Sequence, residues 1–460
     1  MQSSIRFTRA SALALGIAGV MALGQAHASG FQLKENSVKG TGRAYAGSGA
    51  AKGDASVVIN NPAAMSQFDE NALQVDLHAI DLSYEVDAGG TDALGRPLRG
   101  GDGGNAGGIA AVPATSAIFP VGDTGLTIGA AISAPFGLKT EYDNGWVGRY
   151  NALESDVKVI DLTLAASLDI TDRFSVGLGL IYERAEVTLS NAVDFGSAVC
   201  RPLTLTPPTF PPFCDPTGSG ARPFGPQQND GTGVIEGDDT GFGWTAGLHF
   251  RPTDALSIGL SHRSEIDHDL EGTADFTVPG NVVPLLAAGA PNQFVDTRVN
   301  APLTLPSITT LSVAWQATDR LAVMADVSQT DWSSLREINI DYASAQANTI
   351  EEFDWKDTTF YSIGAEFALN ESFVLRGGLA YDETPVRDET RTPRLPDNDR
   401  NWVSLGLTWK MSPALDIDVA YTRIIVDDPT LDIGSSSGSR LVGEAEGHAN
   451  LFGVSAQYRF

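Results

Sequence analysis

Residues 403–422 read VSLGLTWKMSPALDIDVAYT. Val403, Leu405, Leu407 and Trp409 alternate with Ser404, Gly406, Thr408 and Lys410. After Ser412-Pro413, Leu415, Ile417, Val419 and Tyr421 alternate with Asp416, Asp418, Ala420 and Thr422. Successive side chains of a strand point to opposite faces, so this period of two gives two strands joined by a tight turn, each with one apolar face. The other face carries Gly, Ser, Thr and Asp, which can line a lumen.

The theme recurs through the chain. Fourteen runs of this kind lie near residues 72–86, 109–121, 124–135, 155–169, 173–187, 240–251, 255–267, 303–316, 320–332, 354–368, 372–383, 400–411, 414–427 and 446–460. Their connections alternate in length. Very short turns, such as Gly122-Asp123, Thr171-Asp172, Thr318-Asp319 and Asn370-Glu371, follow the even-numbered runs, and long loops follow the odd-numbered ones. A soluble sandwich gives no reason for that sorting. An antiparallel outer-membrane barrel does, because its periplasmic turns are short, its outside loops long and its strand number even. The last run carries Phe452, Val454, Ala456, Tyr458 and Phe460 on one face, and Phe460 is a candidate assembly signal for the barrel assembly machinery. Trp244, Phe250, Trp315, Phe367, Phe373 and Tyr381 stand near strand ends, where aromatic girdles belong.

Composition agrees. The 460 residues include 49 Gly and 24 Pro, too many breakers for a mostly helical protein. A mean hydropathy of −0.06 excludes a bundle of transmembrane helices, but not a barrel in which only alternate residues face lipid. The net charge of −27 argues against a nucleic-acid partner. Acidic outer loops could meet divalent cations of the lipopolysaccharide layer.

Residues 1–28 read as a cleavable signal peptide: Arg6 and Arg9, an apolar stretch from Ser11 to Gly24, and the small-x-small site Ala26-His27-Ala28. That stretch is too short to cross ~30 Å of hydrocarbon as a helix. Cys200 and Cys214 are the only cysteines. Export makes a disulfide between them the expectation, two free thiols in a loop being the alternative. Residues 29–71 carry many small residues and no strand pattern. Such a segment, placed before the first strand, can fold into the lumen as a hatch. The barrel proper is then 72–460.

Gly30-Phe31-Gln32-Leu33, Gly42-Arg43-Ala44-Tyr45-Ala46-Gly47, Asp54-Ala55-Ser56 and Asn61-Pro62-Ala63 together resemble the hatch of the FadL family, outer-membrane transporters of long-chain fatty acids and other hydrophobic compounds. Pro135-Phe136-Gly137-Leu138 with Trp146-Val147-Gly148-Arg149-Tyr150, and Leu395-Pro396-Asp397-Asn398-Asp399-Arg400 before Trp402, are similar to that family's third strand with its following loop and to its sixth outer loop. The resemblance implies an all-β fold, a 14-stranded antiparallel barrel closed by the hatch. It implies passive transport from an outer site to an inner apolar pocket, then through a lateral opening at a kinked third strand, with no catalytic residue and no cofactor.

A fatty acid needs an apolar slot and a partner for its carboxylate. Phe31 of the hatch motif, and Val283, Leu285 and Leu286 in an outer loop, are candidate substrate contacts; the loop before the sixth run adds Phe195, Phe210, Phe213 and Phe224. Exposed apolar clusters mark binding, although loops packing on each other as a lid would read the same. Arg263 and Arg376 have lumen parity and are candidate carboxylate partners. The competing reading pairs them with Asp326, Asp382, Asp416 or Asp418. Arg184 has lipid parity, which leaves open an uncharged aromatic hydrocarbon or alkane as cargo; a porin-like structural barrel or adhesin whose loops bind partners is a separate alternative. Pro135 and Gly137 weaken the third strand and either break the wall there or end the strand. Pro62 fixes its own φ and biases Asn61 away from helix, while the Asn61 amide can bridge hatch and wall. Asn61, Pro62 and Ala63 are therefore the candidate hatch gate. No metal-ligand cluster or catalytic triad is legible.

Overall fold

The computed structural model describes residues 30–200, 211–215 and 222–460. The signal-peptide reading of residues 1–28 and the candidate contact Phe210 lie outside them. The wall strands are β1 (Ala72–Thr91), β2 (Ile109–Pro120), β3 (Leu126–Glu141), β4 (Glu154–Thr171), β5 (Phe174–Asp194), β6 (Asp230–Thr253) and β7 (Leu256–Arg263). After β8 (Ile266–Thr277) and β9 (Thr297–Leu305) the wall resumes with β10 (Ile308–Gln316) and β11 (Leu321–Thr330). After β12 (Glu337–Tyr342) and β13 (Thr349–Glu352) come β14 (Thr358–Ala368), β15 (Phe373–Asp382), β16 (Arg400–Ser412) and β17 (Leu415–Val426). β18 (Thr430–Gly434) precedes the last wall strand, β19 (Arg440–Arg459).

Among the described residues, fourteen strands close an antiparallel ring: β1 to β7 in order, then β10, β11, β14, β15, β16, β17 and β19, which returns to β1. Each of the fourteen sequence runs covers one strand of this ring, the seventh also reaching the start of β8 and the eighth the end of β9. The other five strands extend the outer loops: β8 pairs with the far end of β6 and with β9, β12 with β9 and β13, and β18 with β19.

Alternation explains the wall. On β17, Asp416, Asp418, Ala420 and Thr422 are buried while Val419 and Tyr421 are exposed. Outward-facing side chains such as Phe242 (78 % exposed), Leu180 (71 %) and Leu178 (67 %) form an apolar belt that only lipid covers. Trp244, Phe250, Trp315, Phe367 and Tyr381 are exposed as girdle residues should be.

Residues 30–71 contain no wall strand and fill the lumen. They make short helical turns at Val38–Thr41, Val57–Asn60 and Pro62–Gln67. The Ser37 side chain caps the first by accepting from Gly40 N at 2.9 Å. Asn61 caps the third by accepting from Ala63 N at 3.1 Å, with Pro62 pre-setting the first helical φ. Ion pairs tie this plug to the wall. Arg43 meets Glu366 of the wall at 2.8 Å, as well as Asp54 within the plug at 3.2 Å, and Lys39 lies 3.8 Å from Asp416 and 3.9 Å from Asp418.

Candidate functional site

Proline donates no ladder hydrogen bond, and at Pro135 the wall responds. The register between β3 and β4 shifts between Ser133 and Phe136. Pairing between β2 and β3 stops at Thr115 opposite Ile132. β3 nevertheless continues to Glu141, so Pro135 bulges the strand and does not end it. The plug takes the freed edge: Leu33 N donates to Pro135 O at 2.7 Å and Gly137 N to Phe31 O at 2.8 Å, with Gln32 bridged to Phe136. Residues 109–114 of β2 thus keep β1 as ladder partner and, among the described residues, have none on the β3 side. An unpaired seam runs outward from Thr115 until Glu141 N reaches Ala106 O at 3.0 Å.

Behind the seam lies an internal cavity of about 100 Å³. Ser133, Ala134 and Pro135 form its seam side, Leu33, Lys34 and Tyr45 belong to its plug side, and on the wall Ile181, Ile308 and Phe360 alternate with polar side chains, among them Thr163, Thr245, Arg263, Thr310 and Asp326. Pockets that enclose drug-sized ligands span ~300–1,000 Å³, so a long acyl chain needs the plug to shift.

Both lumen arginines lie where parity put them, but only Arg263 reaches the cavity. Its guanidinium meets Asp161 and Glu183, each at 2.5 Å, and lies 6.0 Å from the Phe136 ring centre. These partners differ from the four acids singled out in the sequence, because the side chain crosses β6 to reach β4 and β5. Arg376 sits beneath the plug, with Nε 2.8 Å from Glu366 and Nη1 3.1 Å from Asp418. That network holds structure together and does not face the cavity. Arg184 points outward and pairs with Glu186 and Asp238.

Asn61 joins plug to wall. Its Nδ2 donates to Gly49 O at 2.9 Å and to Leu248 O of β6 at 3.1 Å. Wall glycines make room: a Cβ on Gly177 would stand 2.3 Å from Ala63 N, and one on Gly247 1.9 Å from Asn61 Oδ1. Phe31 packs its ring against Trp332 (5.0 Å), Trp355 (5.7 Å) and Phe136 (5.8 Å). It wedges the plug's first residues against the outer loops and stands beside the cavity without lining it.

A second concavity, about 920 Å³, opens between the outer loops. Leu286, Phe276, Phe294, Ile340 and Tyr342 supply its apolar surface. Leu286 belongs to the short helix Val283–Gly289, on which Val283 is exposed and Leu285 packs with Phe195, Val282 and the Cys200–Cys214 disulfide. The two loops therefore both pack on each other and border a groove. Arg394 lies at its base, buried, donating to Glu154 O, Ser155 Oγ and Ser190 O at 3.2 Å, with Glu351 3.9 Å away. Burial pulls its pKa down, against the pull of Glu351. At the other end of the chain, Phe460 stacks on Tyr458 at 5.7 Å and meets Phe119 edge-on at 6.5 Å.

Sequence reasoning missed Lys34 and Arg394. Lys34 was discoverable: it directly follows Gly30-Phe31-Gln32-Leu33 and is one of only four bases in residues 29–71.

The sequence matches the family model described as outer membrane protein transport protein (OMPP1/FadL/TodX) over residues 19–460. It is 30 % identical to outer membrane protein P1 of Haemophilus influenzae, covering 97 % of this chain and 98 % of that protein. It is 28 % identical to the long-chain fatty acid transport protein of Escherichia coli K12, covering 100 % of both. The crystal structure of a Pseudomonas aeruginosa FadL homologue superposes with a TM-score of 0.83 at 27 % identity, covering 94 % of this chain and 100 % of that one.

Proposed function

The chain belongs to the OMPP1/FadL/TodX family of outer-membrane transport proteins, and from that premise we propose that its cargo is a long-chain fatty acid, taken up passively. It is a transporter and not an enzyme, and it resides in the outer membrane of a Gram-negative bacterium. On this reading residues 1–28 are cleaved, residues 29–71 act as the hatch, and residues 72–460 form the barrel, inserted by the barrel assembly machinery among outer-membrane lipid and lipopolysaccharide. Cargo gathers in the outer groove beside Leu286, enters the inner cavity as the hatch shifts about Asn61-Pro62-Ala63, and leaves sideways past Pro135 and Gly137.

The observation that carries this reading is the cavity's position against the unpaired β2–β3 seam. An apolar molecule that left through the seam would enter lipid without crossing the aqueous periplasm, and the transfer favours it by ~25 cal/mol per Å² of apolar surface. Relatives named long-chain fatty acid transport proteins align along the full chain, which supports the fatty acid as cargo. The test is uptake in cells lacking their own carriers. Expression of this chain should restore entry of labelled oleate and leave entry of labelled toluene at background. Toluene entry without oleate entry would assign an aromatic hydrocarbon channel, and entry of neither would point to a structural barrel or adhesin.

A further inference from the structure

Four bases lie in the plug segment, and three have an evident role. Arg43 is ion-paired to Glu366 and Asp54. Lys39 donates to Gly53 O at 2.6 Å and Gln457 Oε1 at 2.8 Å, close to Asp416 and Asp418. Lys52 is exposed to solvent. Lys34 differs. It lines the inner cavity, and its ammonium lies 4.1 Å from the Phe360 ring centre. Among the described residues no carboxylate comes within ion-pair distance of its Nζ and no acceptor takes the ammonium's hydrogen bonds; only its backbone is engaged, the N–H donating to Glu35 Oε2 and the carbonyl accepting from Asn36 N.

Asp326, the carboxylate in the cavity lining, is committed elsewhere. Asp326 accepts from Gly47 N at 2.6 Å and from Ser48 N at 3.0 Å, as well as from the Ser48 hydroxyl. Asp161 and Glu183 hold Arg263. Burial lowers the Lys34 pKa against the pull of Asp382, Asp326 and Glu35, as expected for a cation with poor solvation and no contact partner. A ring face offers only part of what a buried ammonium needs. The ammonium therefore borders, without a partner of its own, a cavity beside the seam whose lining mixes Leu33, Ile181 and Ile308 with Ser and Thr side chains.

We infer that Lys34 is the specificity-determining residue of the inner cavity: its ammonium takes the carboxylate of the acyl cargo while the chain lies along Leu33, Ile181 and Ile308. The inference rests on the fatty-acid reading above and adds its selector, a cation carried by the plug and not by the wall. Arg263 then serves as a neutralised wall element. A charge-assisted pair in a dry site distinguishes an acid from its uncharged ester, whereas apolar walls alone do not.

The experiment compares oleate with methyl oleate on the folded full-length protein in nanodiscs. Lys34→Met keeps the stem's packing and removes the charge. It should weaken oleate binding by about 10- to 100-fold, the usual worth of a hydrogen bond to a charged group, and leave methyl oleate unchanged. Lys34→Arg should hold oleate within about threefold of wild type, because it keeps the cation. Unchanged oleate affinity in Lys34→Met overturns the inference, as does an equal loss for both ligands, which would mean packing alone. Wild-type protein that binds neither ligand overturns the fatty-acid reading and this inference with it.

Discussion

Gly247→Ala tests how the plug is seated. The added Cβ would lie 1.9 Å from Asn61 Oδ1 and 3.2 Å from Ala63 N, distances that force the carboxamide out. Displacing it breaks the bonds of Asn61 to Gly49 O, Leu248 O and Ala63 N. At about 1 kcal/mol each the docked plug loses about 3 kcal/mol, which shifts its docked population roughly a hundredfold. The barrel wall should survive, since Gly247 keeps its ladder place between Gly177 and Ser261. Heat-modifiability of the folded protein on gels checks that. Planar-bilayer conductance should rise from a low wild-type level, and oleate uptake should fall as the plug loses its closed reference state. Gly377→Ala is the control, because its added Cβ finds no atom nearer than 3.9 Å. Asn61→Ala should open the pore similarly, and the double variant Gly247→Ala with Asn61→Ala should add little, since both remove the same bonds. Wild-type conductance in Gly247→Ala, or full additivity in the double variant, would refute the proposed seating.

Burial pushes the Glu35 carboxyl up to about 7, against the hold of backbone N–H groups at Glu35 and Lys34 and the charges of Lys34 and Arg400. A raised folded value means that docking is favoured by the proton. The benefit is full below about 4.5 and is lost as pH rises through about 7. Conductance should therefore increase between pH 5 and pH 8, and Glu35→Gln should flatten that profile. Thiol labelling of intact, unreduced cells should find neither Cys200 nor Cys214 free; replacing both with Ser should loosen the outer loops by ~3 kcal/mol in the chain-entropy account, read as faster proteolysis there with the barrel intact. Phe460→Ala, which removes the contacts to Tyr458 and Phe119, should lower the yield of heat-modifiable barrel in the outer membrane.

The wall was legible because lipid on one side and lumen on the other impose a period of two on every crossing strand. Where that asymmetry ends, legibility ends. β8, with the sequence IDHDLEGTADFT, stands beyond the lipid belt, and its outer face carries acids, so the seventh run simply ran on past Arg263. The eighth run likewise swept the end of β9 into β10 across Pro306-Ser307. Parity placed Arg263 and Arg376 in the lumen, since parity is local. Their partners, Asp161 with Glu183 and Glu366 with Asp418, come from other strands and depend on how far a side chain reaches around a curved wall. Lys34 was visible as one of four bases in residues 29–71, but its unpaired state was not. What sets it apart is the lack of a counter-charge, and that follows from what Asp326 and Arg43 do elsewhere.

The small residues of the inner face were read as a lumen lining, and the structure gives them a more definite meaning. An added Cβ would stand 2.2 Å from Gly49 O at Gly259, 2.6 Å from Arg43 O at Gly364, and 2.8 Å from Gly42 Cα at Gly406. Together with Gly177 and Gly247 these positions trace the footprint of the plug backbone on the wall. The footprint spans much of the ring, β1 included, where Asp76 accepts from Val38 N at 2.8 Å and Gln74 from Ala55 N at 2.9 Å. On β5 to β7 the plug is held by Asn61 and close backbone approach, and on β14 to β17 by the ion pairs of Lys39 and Arg43. Toward the seam it is held differently. Two backbone hydrogen bonds with β3, Leu33 N donating to Pro135 O and Phe31 O accepting from Gly137 N, are joined there by outer-loop contacts, Gly30 N to Asp397 at 2.9 Å and the Phe31 ring against Trp332 and Trp355. Residues 30–33 and residues 36–67 are thus fastened to different parts of the barrel, with Lys34 at the joint. Release of the first group alone would uncover the cavity toward Pro135 while the Asn61 turn and the ion pairs stayed in place. That movement costs a few hydrogen bonds and one aromatic cluster, far less than expelling the whole plug, and it places the bound carboxylate on the residue beside the moving segment.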